Sequence, residues 1–174
     1  MPKQLKIFFE KCIGCKSCEL ACSLANDGEL NPSKSRITMI AFAEGKYPLP
    51  YNVPFTCKQC ADAPCLPSCP VDAISRLKNS MKIVVIDYDL CIKCGRCVGA
   101  CPFGAMLFDK ETKKPFKCEL CKGEPACASI CPTEAILFVQ QKPFYSKAPA
   151  LEMEGFSILS QRNREWLRQP KSEK

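Results

Sequence analysis

The sequence predicts an α+β fold in which short strands and short helices alternate along a duplicated chain. Four cysteine-rich motifs recur within 174 residues, and the chain holds sixteen cysteines and no histidine. Short β-branched runs and short helical stretches separate the motifs. Three of the motifs end in the same pattern, C-P-x-x-A-[I/M]. This repetition indicates duplicated units, and it does not suggest a solenoid, because each unit consists mostly of cysteines and turns.

The third motif indicates the role of the cysteines. It reads C-x2-C-x2-C-x3-C-P from Cys91 to Pro102. Bacterial-type ferredoxins bind [4Fe–4S] clusters with this spacing, in which the fourth cysteine ligates a different cluster from the first three. Gly95 helps the backbone to curl around the cluster, because glycine adopts dihedrals that other residues avoid.

The other motifs vary this spacing. The first is C-x2-C-x2-C-x3-C with Ser23 in place of the proline, the second is C-x2-C-x4-C-x3-C-P, and the fourth is C-x2-C-x5-C-x3-C-P. Every cysteine belongs to a motif, so we expect four [4Fe–4S] clusters. The predicted ligands are Cys12, Cys15, Cys18, Cys22, Cys57, Cys60, Cys65, Cys69, Cys91, Cys94, Cys97, Cys101, Cys118, Cys121, Cys127 and Cys131.

The first third of the chain predicts a strand, a helix and a second strand. Met1 to Lys11 is predicted to be a short strand that leads into the first motif. Glu19 to Leu24 is predicted to continue as a helix, since no proline breaks it. Arg36 to Phe42 alternates loosely and is predicted to be a strand. Tyr47 to Phe55 contains three prolines, so it is predicted to be extended and irregular.

The middle of the chain predicts one or two helical turns from Asp72 to Leu77. Lys82 to Asp87 is the clearest strand, because it is apolar and β-branched. Met106 to Asp109 and Pro115 to Lys117 flank the polar turn Lys110 to Lys114, which predicts a hairpin.

The end of the chain divides into a last strand, Ile136 to Val139, and a segment without cysteine. We therefore expect a four-cluster domain over residues 1–140 and a C-terminal extension over 141–174. The extension predicts a short helix from Ser157 to Arg168, and its large apolar side chains, including Trp166, suggest docking on a partner or on this domain.

Composition argues against several classes of protein. The motifs run in ordered fours, which disfavours structural zinc sites built from two separated pairs of ligands. The absence of histidine excludes a Rieske centre and haem ligated by histidine. No convincing export signal precedes the cysteines, so a secreted disulfide scaffold is not expected, and a cytoplasmic location is. Catalysis is not expected either, because the chain has no histidine and no cysteine outside the motifs.

Net charge argues against nucleic-acid binding once the clusters are counted. The formal charge of +7 treats cysteines as neutral. Four oxidised clusters with their ligands carry about −2 each, which would bring the protein to about −1. The lysines and arginines, among them Lys16, Lys58, Lys93 and Arg96 inside the cysteine loops, then mostly balance the clusters. No transmembrane stretch is predicted.

The four motifs in this order resemble the four-cluster ferredoxin-like subunits of the DMSO-reductase iron–sulfur family. The resemblance covers Lys6 to about Val139 and includes the missing proline after Cys22. It implies two fused bacterial-type dicluster ferredoxin-like halves and an electron-transfer subunit, as in formate dehydrogenases, hydrogenase-linked complexes and tungsten aldehyde oxidoreductases. The implied partner is a large catalytic subunit with a molybdenum or tungsten pterin, or a hydrogenase, and a further redox subunit could join them.

Spacing alone allows the motifs to pair in sequence, one with two and three with four. The family resemblance implies nesting instead, motif one with four and two with three. The implied ligand sets are then Cys12, Cys15, Cys18 and Cys131; Cys118, Cys121, Cys127 and Cys22; Cys57, Cys60, Cys65 and Cys101; and Cys91, Cys94, Cys97 and Cys69.

Two other functions stay open from the sequence. A free polyferredoxin would carry electrons by diffusion without a fixed partner. A zinc-binding or nucleic-acid-binding module would contain neither iron nor sulfide. We expect the electron-transfer subunit, since four redox centres without substrate machinery form a path for electrons.

Overall fold

The computed structural model describes residues 3–42, 51–78, 81–140 and 161. Within them, eight short strands form four two-stranded antiparallel sheets, and three short α-helices lie between the strands. This α+β architecture matches the class predicted from the sequence. The extension beyond residue 140, including the predicted helix from Ser157 to Arg168, lies outside the described residues apart from Gln161. No helix in the described ranges is long and apolar enough to span a membrane.

The first and last described strands pair with each other. Strand β1 (Lys3–Ile7) is antiparallel to β8 (Ile136–Gln140), with Ile7 opposite Ile136. Both strands were predicted, and both are confirmed. Their pairing brings the residues before the first motif beside those after the fourth.

Helix α1 (Ser17–Asp27) confirms the predicted helix and extends it at both ends. Ser23, the residue that replaces proline, is fully buried. Its hydroxyl donates to the Leu20 carbonyl at 3.0 Å and accepts from the Asn31 N–H at 3.0 Å. Serine therefore lets the helix continue and also holds the chain that returns from it, neither of which proline could do.

The second sheet corrects one prediction. Strand β2 (Ile37–Phe42) was predicted. Its partner β3 (Tyr51–Thr56) begins in the segment predicted to be extended and irregular, which is extended as predicted but forms a regular strand. Pro54 lies opposite Met39, whose N–H donates to Glu19 at 2.7 Å instead of to β3. This pair therefore exchanges no ladder hydrogen bonds, and the missing N–H of Pro54 costs nothing there.

The third sheet corrects another prediction. Ile74–Arg76 forms strand β4, not helical turns, and pairs with β5 (Val84–Ile86), which confirms the clearest predicted strand. Asp72 has φ of +50°, which prevents a helix from starting there. Ile74–Arg76 instead pairs with the neighbouring β-branched strand β5.

The remaining elements are short. Helix α2 (Arg96–Ala100) lies within the third motif and contains Cys97. Strand β6 (Leu107–Phe108) pairs with β7 (Pro115–Phe116), which confirms the predicted hairpin. A 3₁₀ turn and helix α3 (Ala126–Ser129) lie within the fourth motif.

The core consists of four small clusters of buried side chains, three of which contain cysteines. The alanine and the next residue of each C-P-x-x-A repeat are buried in this core. They are Ala73, Ile74, Ala105, Met106, Ala135 and Ile136. Because the core is divided into small clusters and three of them include cysteines, we expect bound metal to contribute much of the folding free energy.

Candidate metal centre

Each cysteine motif opens with the same backbone conformation. The residue just before the second cysteine has a left-handed φ in all four motifs. These residues are Gly14 (+72°), Gln59 (+50°), Lys93 (+59°) and Leu120 (+56°). Four copies of one unusual conformation show that the duplication extends to the backbone, and that the motif requires this shape.

This conformation turns backbone N–H groups toward sulfur. The Leu120 N–H donates to Cys118 Sγ at 3.4 Å. In the first motif, the Gly14 N–H makes the same contact with Cys12, and the second motif repeats it. N–H groups directed at cysteine sulfur stabilise thiolates and tune the clusters that thiolates bind.

The final cysteines also accept hydrogen bonds from the chain that follows them. The Ala73 N–H donates to Cys69 Sγ at 3.3 Å. Burial tends to raise the pKa of Cys131, but hydrogen bonds from the backbone of Ile136 and Thr133, among others, outweigh it and lower that pKa. The C-P-x-x-A pattern thus folds back on its own cysteine, with a small residue at the point of closest approach.

Site I combines cysteines from the two ends of the described chain. Cys12, Cys15, Cys18 and Cys131 line one cavity, together with Ile136 and its neighbours. The empty volume of this cavity is about 330 Å³, part of it open to solvent. β1 and β8 bring these residues together by pairing.

Site III has the same construction from the middle of the chain. Cys57, Cys60, Cys65 and Cys101 line a cavity with an empty volume of about 390 Å³, part of it open to solvent. Ala105 and Met106, which follow Cys101, close one side of it. The cavity therefore joins three cysteines of the second motif to the last cysteine of the third.

Site II joins the fourth motif to the end of the first. Cys127 lies close enough to Cys118, Cys22 and Cys121 for their charges to interact. The Arg36 N–H donates to Cys22 Sγ at 3.2 Å. Three of these four cysteines are buried.

Site IV contains the first three cysteines of the third motif. Cys97 lies within electrostatic range of Cys94 and Cys91. Cys69 packs in the same apolar cluster as Cys91 and Cys97, which also includes cysteines of site III.

The four sites are linked in the order I, II, III, IV. Cys18 of site I interacts electrostatically with Cys127 of site II, and the two cysteines share an apolar cluster. Cys118 of site II interacts with Cys57 of site III. Cys65 of site III interacts with Cys97 of site IV.

Burial raises the pKa of most of these thiols. It raises the pKa of Cys18 and Cys97 to about 12, and that of Cys60 and Cys118 to about 11, because a buried thiolate loses its hydration. Metal binding at neutral pH must therefore displace protons from these thiols.

The donor set fits iron–sulfur clusters. Sulfur is the ligand atom at every site, backbone N–H groups are directed at it, and the thiols of sites I and III surround a cavity. Among the described residues, no group of three or more cysteines, aspartates or glutamates could hold a single metal ion.

Comparison with known families identifies the kind of cofactor that the chain binds. Residues 49–141 match the 4Fe-4S dicluster domain, and residues 9–26 match the 4Fe-4S binding domain. The chain belongs to the 4Fe-4S dicluster domain family. It is thus a ferredoxin-like iron–sulfur protein whose cofactors are [4Fe–4S] clusters, and its sixteen cysteines are consistent with four of them.

Three relatives of this dicluster protein are subunits of oxidoreductases. The aliphatic sulfonate oxidoreductase polyferredoxin-like subunit of Pyrococcus furiosus is 39% identical over 122 residues, which cover 70% of this chain and 67% of that protein. The B subunit of the polysulfide reductase of Wolinella succinogenes is 37% identical, over 73% of this chain and 70% of that protein. The thiosulfate reductase electron transfer subunit PhsB of Salmonella typhi is 35% identical, over 74% of this chain and 71% of that protein.

The structure adds residues around the clusters that the motifs did not predict. Asn26 Nδ2 lies 3.7 Å from Cys22 Sγ and 3.9 Å from Cys121 Sγ. Gln59 donates to the Cys118 carbonyl at 2.8 Å and accepts from the Val84 N–H at 2.8 Å, so it connects site III to the fourth motif. These side chains reach across the fold, and no spacing in the sequence signals such contacts.

Lys117 is a further residue that the sequence did not single out. The hairpin that contains it was predicted, but its burial was not, and only 3% of Lys117 is exposed. Its ammonium donates to the carbonyls of Val84 and Cys118. It also lines the cavity of site III.

Proposed function

We propose that this chain is a non-catalytic electron-transfer subunit. It relays single electrons through four [4Fe–4S] clusters to or from a catalytic oxidoreductase subunit that carries a molybdenum or tungsten pterin. When bound, each cluster supplies one centre that can take up and release an electron.

The observation that carries this proposal is the unbroken order of the four cysteine sites. A cysteine of each site packs in the same apolar cluster as a cysteine of the next site, so electrons would pass between neighbouring clusters without leaving the protein. The two end sites each contain an exposed cysteine, Cys15 at site I and Cys94 at site IV. We assign these ends as the points where electrons enter and leave.

The ligand sets are the nested ones. Sites I and II form one ferredoxin-like half, and sites III and IV form the other, in a domain over residues 1–140 with residues 141–174 as an extension. The pairing of β1 with β8, and of β4 with β5, supports this division. Cys22 completes site II and Cys69 completes site IV, so each motif gives its last cysteine to its partner's cluster.

The proposed partner follows from the relatives, which are subunits of sulfonate, polysulfide and thiosulfate oxidoreductases. A similar large catalytic subunit is the proposed partner here, in a reducing compartment such as the cytoplasm, where thiols stay available for iron.

Anaerobic purification tests the proposal in two steps. The chain should contain about sixteen iron and about sixteen acid-labile sulfide, four of each per cluster. Expressed with its neighbouring genes, it should also co-purify with a larger subunit and reduce or oxidise that subunit's cofactor. Zinc without sulfide would refute the cluster assignment. Four clusters without any stable partner would indicate a free polyferredoxin.

A further inference from the structure

Lys117 is a buried cation at the junction of the two inner sites. It immediately precedes Cys118 of site II and lines the cavity that holds the cysteines of site III. Only 3% of the residue is exposed, which is rare for lysine. Gln59, which bonds the same Cys118 carbonyl at 2.8 Å, lies in the same cavity wall.

Among the described residues, the hydrogen-bond partners of the Lys117 ammonium do not neutralise its charge. It donates to two carbonyls, those of Val84 and Cys118, which satisfy hydrogen bonds without neutralising charge. In the described part of the chain, no carboxylate forms an ion pair with it. A buried cation without a counter-charge is costly, so something negative must lie nearby.

The negative groups near Lys117 are the thiolates. Lys117 lines the same cavity as Cys57, Cys60 and Cys65, so thiolates that bind a cluster there lie beside its ammonium. Glu119 lies within electrostatic range of Cys57, but it forms no ion pair with Lys117 in the described part of the chain. Lys117 therefore faces the sulfur ligands of site III as its counter-charge.

We propose that Lys117 tunes the cluster of site III, raising its reduction potential above the value that the four cysteines alone would give. The inference rests on the proposed electron-transfer function. Lys117 gains attraction when one electron, supplied by the neighbouring cluster, is added at site III and the charge there falls from about −2 to about −3. No bond forms or breaks, and no proton moves. Lys117 is a positioning charge and not a catalytic residue.

The proposal has a consequence for electron transfer between sites II and III. Site III adjoins site II through Cys57 and Cys118, so electrons that cross between the halves must pass the Lys117 ammonium. The buried ammonium attracts the electron to site III. An exposed lysine would attract it less, because water and salt would screen its charge.

The test is an anaerobic redox titration of the isolated holoprotein, followed by electron paramagnetic resonance, for Lys117→Met, Lys117→Arg and wild type. Lys117→Met should lower one of the four midpoints by at least the equivalent of a tenfold change in the reduction equilibrium, which is about 59 mV for one electron. It should be the midpoint that disappears in Cys60→Ala. Lys117→Arg should keep it near the wild-type value.

Lys58→Met is the matched control, because Lys58 lines the same cavity but is only half-buried. It should shift the same midpoint less than Lys117→Met does. An unchanged midpoint in Lys117→Met with full iron content would overturn the proposal, and so would an equal shift in all four midpoints or an equal shift in Lys58→Met.

Loss of the site III cluster in Lys117→Met is also decisive. If Lys117→Arg retains that cluster, the positive charge is what holds it, and the proposal stands. If Lys117→Arg loses it as well, lysine serves through its shape and its two carbonyl contacts, and the proposal fails. These titrations need no partner subunit, so they are independent of whether the proposed complex exists.

Discussion

The inner sites II and III and the outer sites I and IV offer the same ligand atoms in different surroundings. Each outer site has an exposed cysteine, whereas neither inner site does. Beside those cysteines, Ile13 is 65% exposed and Ile92 is 59% exposed. The inner sites instead lie against the side chains of Lys117 and Asn26. Since the loops share one backbone conformation, the surroundings and not the ligands must distinguish the four clusters.

The largest expected consequence of this difference is in the rate at which the clusters are lost in air. Limited oxidation in air should release iron from the outer sites first, so that loss pauses after about eight of sixteen iron, two clusters of four each. Alkylation of the thiols freed during this phase, followed by peptide mass spectrometry, should label Cys15 and Cys94 before Cys118 and Cys127. Labelling of all four at one rate would show that exposure does not separate the sites.

A smaller effect is expected at one outer loop. Gly14 has φ of +72°, and a Cβ there would lie 2.8 Å from Asn52 Nδ2 of strand β3. Gly14→Ala should therefore weaken site I, releasing up to about four iron, one cluster, under mild chelation. The iron content per chain measures this loss. Adding Asn52→Ala to Gly14→Ala should restore the iron content, because it removes the contact.

Gly28→Ala is the control for that substitution. Gly28 has φ of +73°, but nothing lies within 4 Å of a Cβ there. It should retain all iron and cost only about 1–2 kcal/mol of stability from the left-handed backbone. Equal iron loss in both variants would mean that backbone strain, and not the contact with Asn52, explains the first result.

The smallest expected effect is at inner site II. Asn26→Ala removes the side-chain amide that lies near Cys22 Sγ and Cys121 Sγ. The site II midpoint should fall, by less than the roughly 59 mV that corresponds to tenfold, because neutral N–H groups stabilise added charge less than a cation does. Asn31→Ala, whose side chain caps the turn at Ser33, should leave every midpoint unchanged in the same titration. A shift as large as that of Lys117→Met would contradict this ranking.

Sequence predicted those features that depend on local pattern. β1, β2, β5, β8, the hairpin and helix α1 follow from apolar runs and from the lack of a breaking residue. Pro54 and Asp72 misled the prediction. Proline in a strand is tolerated when its position makes no ladder bond, and Ile74–Arg76 pairs with the β-branched strand β5 instead of forming helical turns.

The candidate site also has features that the sequence predicted and features that only the folded chain shows. Motif spacing predicted the sixteen cysteines as ligands, but it allowed two ways of pairing the motifs. Lys117, Gln59 and Asn26 act through contacts with residues 33, 59 and 95 positions away, and only the folded chain brings them to the sulfurs. Burial of a lysine has no signature in sequence, since most lysines remain exposed.

The nested assignment of the cysteines is the central claim, and Cys131→Ala tests it most directly. Cys131 is far from the first motif in sequence but shares a cavity with Cys12, Cys15 and Cys18. In the anaerobic holoprotein, alkylation of this variant should label the thiols of the first motif, and the paramagnetic signals of the clusters at the middle motifs should persist. Labelling of Cys91, Cys94 and Cys97 instead, with the first motif protected, would contradict the nested assignment and indicate that the motifs pair in sequence.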